Sequence, residues 1–303
     1  MTSRAGSPPR VAERRGLTLI ELLVVVVIIT ILATLLVPAV GRMFGAAEEK
    51  VTRATIDKID ALIKQRNIAI DQVDRSRRIA QEKILQPGLS DAAINAYIQK
   101  EMLKQAFPMT YAEAGLSVPS NHNPVTESAE ILYYALVERE VIGAAGVQPT
   151  DFQAHEVADT DGDGRMEFVD AWGRPLRFYR WPTRLVRPAG PGGSVEMRAA
   201  GLLIAGTTPD MLGQDPDDPL GELLNSPRFG GDPAAFEAQY HTPDTFHRPL
   251  LVSAGADGEL GLHEPHDRAN FGHLAQPTSA VLSDPGNSVL NDNHSNLQRF
   301  GGN

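Results

Sequence analysis

The sequence predicts an α+β protein in which one long N-terminal helix leads into a head built on an antiparallel sheet. Three observations predict it. Residues Leu22 to Gly41 contain no charged side chain, a run long enough for a helix to cross about 30 Å of hydrocarbon. Ile56, Ile59, Leu62 and Ile63 then recur at three- and four-residue steps, the pattern of a helix with a single apolar stripe. Beyond Gly143, short apolar runs alternate with Gly, Pro and Asp clusters, as the strands and turns of an antiparallel sheet do.

Residues 1–16 are polar and include Pro8 and Pro9. Arg14 and Arg15 stand directly before the apolar run. By the positive-inside rule they keep the N-terminus in the cytoplasm and send everything after Arg42 to the far side of a membrane. The apolar run is longer than the core of about 7 to 15 residues found in an ordinary cleaved secretory signal. A plain signal anchor would account for the arginines and the length but not for Glu21, just inside the run. A carboxylate in lipid costs several kcal/mol unless its charge is met.

The stretch Gly16, Thr18, Leu19, Ile20, Glu21, Leu22, Leu23 and Val24, with Pro38 further along, resembles the N-terminus of type IV pilins and type II secretion pseudopilins. The resemblance implies a pilin-like fold, with a long N-terminal helix packed on an antiparallel sheet. It implies that a prepilin peptidase cuts after Gly16 and that the new amino terminus, on Leu17, is methylated. It further implies that Glu21 pairs with the terminal amine of a neighbouring subunit as subunits stack into a filament. Leu17 departs from the Phe usual after the cut, keeping its apolar character. The partners so implied are like subunits and other pseudopilins, the prepilin peptidase, an inner-membrane assembly platform and membrane lipid. The implied location is the bacterial inner membrane, single-pass, with the N-terminus cytoplasmic and the head on the periplasmic side.

Composition agrees with an exported structural protein. The 303 residues have room for one good-sized domain plus an anchor. There is no Cys, which excludes disulfides and thiol chemistry. The formal charge is −10. Without residues 1–16, which hold four Arg and one Glu, 24 basic residues face 37 acidic ones, or −13. Such acidity argues against a nucleic-acid partner.

Element by element, 17–40 reads as the transmembrane and filament-core helix, kinked at Pro38, and 41–66 as its amphipathic continuation, with Val51 and Ala54 on the stripe. The helix-like and charged segment 67–125 reads as a helical insertion, with a break at Pro87-Gly88 and Ser90 as the cap of a helix from Asp91 to Ala106. Its Arg75, Arg77 and Arg78 read as a solvated helix face. The head, 126–283, opens with a core helix starting at Thr126 or Ser128. Its strands are expected at Pro175 to Trp181, Gly201 to Ala205 and Pro249 to Ser253. Loops are expected at Arg187 to Ser194 and Thr207 to Gly221. The polar segment 284–303 reads as a C-terminal tail.

The stretch Asp159-Thr160-Asp161-Gly162-Asp163-Gly164-Arg165-Met166-Glu167-Phe168-Val169-Asp170 carries the spacing of a calcium loop. Asp159, Asp161, Asp163, Glu167 and Asp170 fall at its first, third, fifth, ninth and twelfth places, with Gly164 at the sixth and the Arg165 carbonyl at the seventh. Hard oxygen donors in this order suit Ca2+. The alternative is an acidic turn that binds no ion. Asp170-Ala171-Trp172-Gly173-Arg174-Pro175 and Ser253-Ala254-Gly255-Ala256-Asp257-Gly258 also resemble two segments of the major pseudopilin of type II secretion. That resemblance makes Asp257 a second candidate calcium ligand.

His241, His247, His263, His266, His273 and His294 lie late in the chain and read as surface-loop histidines, since Pro265 spoils a helical zinc pattern at His263 and His266. There is no phosphate loop, nucleophile elbow or dinucleotide fingerprint. The sequence therefore predicts a structural subunit without enzymatic activity or an organic cofactor. The other reading is a membrane-anchored calcium- or carbohydrate-binding module that uses a prepilin-type leader for export.

Overall fold

The computed structural model describes residues 19–140, 146–181, 217–241, 249–270, 272–275, 278, 280–281 and 293–295, without the side chains of 35–44. Gly16, Leu17, the expected loop 187–194, the expected strand 201–205, His247 and most of the tail fall outside these residues, as does the side chain of Pro38. The described part is α+β. It divides into two units, residues 1–47 and 48–303.

The first element, α1, is a helix over Leu19–Asp71. In the first unit its described side chains from Leu19 to Thr34 are exposed on every side. Thr30 and Thr34 fold their hydroxyls back onto the carbonyls of Val26 and Ile31, each at 2.8 Å. Among the described residues no helix is long and apolar enough to cross a membrane; the described side chains of the apolar run stop at Thr34.

In the second unit α1 continues past Arg66, its expected end, and buries Ile56, Ile59, Ile63 and Ile70 completely. Each such burial is worth about 1.5–3 kcal/mol. The buried stripe also takes in Thr52, Thr55 and Arg66, so it is rotated from the expected one, and Val51 is exposed. Polar partners explain the rotation. Thr52 Oγ1 accepts from the Ala171 N–H at 3.1 Å, and Thr55 lies 3.4 Å from Glu156. Lys58 Nζ adds the Asp151 carbonyl at 2.6 Å and Glu156 at 2.7 Å.

Four short helices follow: α2 at Ser76–Leu85, α3 at Asp91–Ala106, α4 at Tyr111–Ala114 and α5 at Glu127–Tyr133. Ser90 caps α3 as expected, its hydroxyl accepting from Ala93 N–H at 3.2 Å. Arg77 and Arg78 are exposed, whereas Arg75 turns inward to the Ile70 carbonyl and Asp71. After Tyr133 the helix widens to a π turn over Tyr134–Glu138. Buried Arg66 reaches across from α1 and donates to the carbonyls of Ala135, Leu136 and Arg139. Burial, with Arg139 nearby, lowers its pKa to about 10.

The strands are short. β1 (Val157–Ala158) pairs antiparallel with β2 (Glu167–Phe168). β3 (Arg177–Tyr179) and β4 (Leu250–Ser253), both within the expected runs, pair antiparallel, and β5 (His294–Ser295) adds to the far edge of β4. A further helix, α6, covers Pro233–Gln239. The pleat splits the core. Phe178 and Leu251, paired in register, join the isoleucines of α1 and Leu132 and Leu136 in one cluster, while Tyr179, Leu250 and Val252 face another with Leu260 and Leu262.

Two late histidines depart from expectation because they are buried. His241 is fully enclosed beside Lys100 Nζ at 2.7 Å, with Asp217 2.9 Å from the same ammonium. His273 is 9% exposed, and burial, with Arg268 next, pushes its imidazole down to about 4. His266 stays exposed, and His263 lies 3.5 Å from Asp267.

Candidate functional site

Among the described residues two places bear on function, the start of α1 and the acidic loop. At the start of α1, Leu19 is 83% exposed and Leu32 60%. Glu21, in the first turn, is the sole charged residue from Leu19 to Thr34. A helix apolar on all sides belongs in lipid or in a bundle, because neither an amphipathic groove nor water satisfies it.

The acidic loop follows β1. Gly162 and Gly164 take positive φ, +76° and +88°, which the tight coil requires. The structure does not gather the predicted calcium ligands around one point. Asp159 spends both carboxylate oxygens on the loop's own amides, Oδ1 accepting from Gly162 and Asp163 and Oδ2 from Gly164. Glu167 is fully buried and accepts from the Thr160 N–H at 2.6 Å and from its hydroxyl. Burial outweighs those bonds and pushes its carboxyl up to about 7.

Asp170 turns the other way. Its Oδ1 accepts from the amides of Trp172 and Arg174, each at 3.0 Å, and its Oδ2 accepts from Ser253 Oγ at 2.7 Å. Asp257 is exposed and accepts from the Glu259 N–H at 3.0 Å. Beside it Arg174 donates to the Gly255 carbonyl at 2.6 Å. A Cβ on Gly258 would come within 2.6 Å of that guanidinium. The two segments that resemble the major pseudopilin therefore meet in space as a structural clasp.

Asp161 and Asp163 do converge, with two residues the sequence did not suggest. One donor atom each from His122, Glu130, Asp161 and Asp163 lies within 4.8 Å of the others. His122 Nδ1 is 3.5 Å from Glu130 Oε2 and 3.7 Å from Asp163 Oδ2. The three side chains are 7%, 1% and 0% exposed. His122 sits on the loop between α4 and α5 and stacks edge-on against Tyr111, with ring centroids 5.0 Å apart. Glu130 projects from α5, which packs on β2 and β3. Burial pushes its carboxyl up, against hydrogen bonds from Thr126 and Tyr111. No local spacing could have shown this grouping, since His122 and Glu130 precede the loop by many residues and join it in space, the first beside the Asn123–Asp161 hydrogen bond and the second carried by α5.

Among known proteins, the family model of the prokaryotic N-terminal methylation motif matches residues 12–37. It spans Gly16, Leu17 and Glu21 and identifies this N-terminus as prepilin-type. No curated protein and no solved structure matches the chain.

Proposed function

We propose, with that prepilin-type N-terminus as the premise, that the chain is a structural subunit of a type II secretion or type IV pilus-like filament. The match over residues 12–37 carries the reading. Prepilin peptidase cuts after Gly16, Leu17 becomes the methylated N-terminus, and the subunit waits in the inner membrane with its head on the periplasmic side. An assembly platform then extracts it into a filament of like subunits and other pseudopilins. Its fold is of the pilin type.

The physical account of assembly rests on charge. Inside hydrocarbon the Glu21 carboxylate costs several kcal/mol unless an opposite charge meets it. Cleavage creates a positive amine at Leu17, close to Glu21 in sequence, and stacking lets one subunit's amine meet its neighbour's carboxylate. The exposed leucines, valines and isoleucines of α1 then pass from lipid into a helical bundle, where close packing replaces lipid contact.

Glu21→Leu tests this reading. The variant is expected to insert in the membrane as the native chain does but to yield few filaments; normal filament formation by Glu21→Leu would contradict it.

A further inference from the structure

We infer that His122, Glu130, Asp161 and Asp163 form a binding site for a divalent cation of the zinc and manganese class, which takes Asp161 and Asp163 from the calcium spacing of residues 159–170 and replaces its other ligands with His122 and Glu130. The site does not depend on the filament reading.

Three observations carry it. First, His122 and two carboxylates have the spacing of ligands on one ion, with an Asp161 oxygen within 4.8 Å of them all: ligands held at about 2.0–2.2 Å around a metal stand about 3–4 Å from one another. His122 Nδ1 stands 3.5 and 3.7 Å from its carboxylate neighbours. Second, His122 Nδ1, Glu130 Oε1 and Asp163 Oδ2 are buried without a hydrogen-bond partner. Buried polar atoms are paired in the large majority of cases. Of the three atoms, His122 Nδ1 and Asp163 Oδ2 stand 3.7 Å apart, with Glu130 Oε2 3.5 Å from the same imidazole nitrogen, so the partner that those two lack belongs between these side chains. Third, three acids around one imidazole concentrate negative charge where water is excluded, and a cation relieves it.

Neighbouring groups hold the donors in place, as outer partners do around metals. Tyr111 O–H donates to Glu130 Oε2. Asn123 N–H and Thr126 O–H donate to Asp161 Oδ2 at 2.8 and 3.2 Å. The Arg165 N–H donates to Asp163 Oδ1 at 2.7 Å and leaves Oδ2 directed at His122.

The donor set selects the ion. Calcium takes six to eight oxygens and has little use for imidazole. Carboxylate suits manganese and imidazole suits zinc, with zinc the tighter binder in the usual order. A bound ion would staple the 119–126 segment and α5 to the acidic loop.

The full-length chain, purified in detergent and stripped with a chelator, is titrated with Zn2+, Mn2+ and Ca2+ while heat and thermal unfolding are recorded. Zn2+ is expected to bind one per chain and raise the unfolding temperature. His122→Ala and Asp163→Asn should each weaken it at least about 10-fold, and Asp257→Asn should leave it unchanged. X-ray absorption of the zinc-loaded native chain serves should a variant fail to fold, and is expected to show one imidazole in a nitrogen and oxygen shell. No zinc binding, binding indifferent to His122→Ala, a shell without imidazole, or calcium bound in preference to zinc would each overturn the inference.

Discussion

Ser253 Oγ donates a 2.7 Å hydrogen bond to Oδ2 of Asp170, tying the end of β4 to the turn that precedes β3. Both partners are buried, at 0% and 1% exposure. Asp170, at the twelfth place of a calcium-loop spacing, is thus committed to the clasp between two distant turns.

Asp170→Ala should therefore destabilise the head by about 3 kcal/mol, because it strips a buried carboxylate from two amides and a hydroxyl. Ser253→Ala should cost about 1–2 kcal/mol. Denaturant midpoints measure both. Zinc affinity of the folded Asp170→Ala protein should be unchanged, and a large loss would return Asp170 to the cation site.

Arg66 occupies a position on the buried stripe of α1 that an isoleucine would otherwise fill. The π turn at Tyr134–Glu138 presents carbonyls lacking the usual helical partners, and the guanidinium serves Ala135 and Leu136 there. Arg66→Met should lower stability by about 2 kcal/mol with an unchanged denaturant slope, since it removes the donor to the buried Ala135 carbonyl, while Leu136 keeps the Val147 N–H at 3.0 Å. An unchanged midpoint would show that the guanidinium is dispensable.

Two groups make the head acid-labile, each in its own window; Glu167 acts in the opposite sense, since its raised carboxyl takes a proton first in the folded head and adds stability as pH falls from about 7 to 4.5. His273 has its pKa lowered from 6.5 to about 4 by burial, so the unfolded chain takes the proton first. Its contribution is whole above about 6.5 and is lost as pH falls toward 4. Glu113 is pushed up by burial, yet Arg180 at 2.8 Å, with the Met109 amide and Arg268, holds it at about 2. That contribution is present above the usual carboxylate value of 4.5 and is lost as pH falls toward 2. Each is worth about 2–3 kcal/mol. His273→Gln should flatten the upper window, and Arg180→Met should chiefly flatten the lower one, with a smaller change in the upper because Arg180 also helps to hold the His273 imidazole down; stability measured from pH 7 to pH 2 reads both.

What the sequence disclosed was what lies close together along the chain. The Gly16 to Val24 motif, the Ser90 cap and the apolar run at Leu250 to Val252 are contiguous, and each can be read without knowing the fold. The direction of a carboxylate cannot. Asp159, Glu167 and Asp170 have the spacing of ligands but turn toward separate amides and hydroxyls. Glu130 reaches the acidic loop because α5 is laid across β2 and β3, and His122 because the next residue, Asn123, bonds Asp161. The rotation of the α1 stripe toward Thr52 and Arg66, and the burial of His241 and His273, likewise depend on partners far along the chain.

The central claim is that this chain becomes a filament subunit when its N-terminus is cut and exposed. Mass spectrometry of the protein recovered from cells tests it most directly. The account predicts a chain beginning at N-methyl-Leu17. A chain that retains residues 1–16, or begins at Leu17 without methylation, would contradict it.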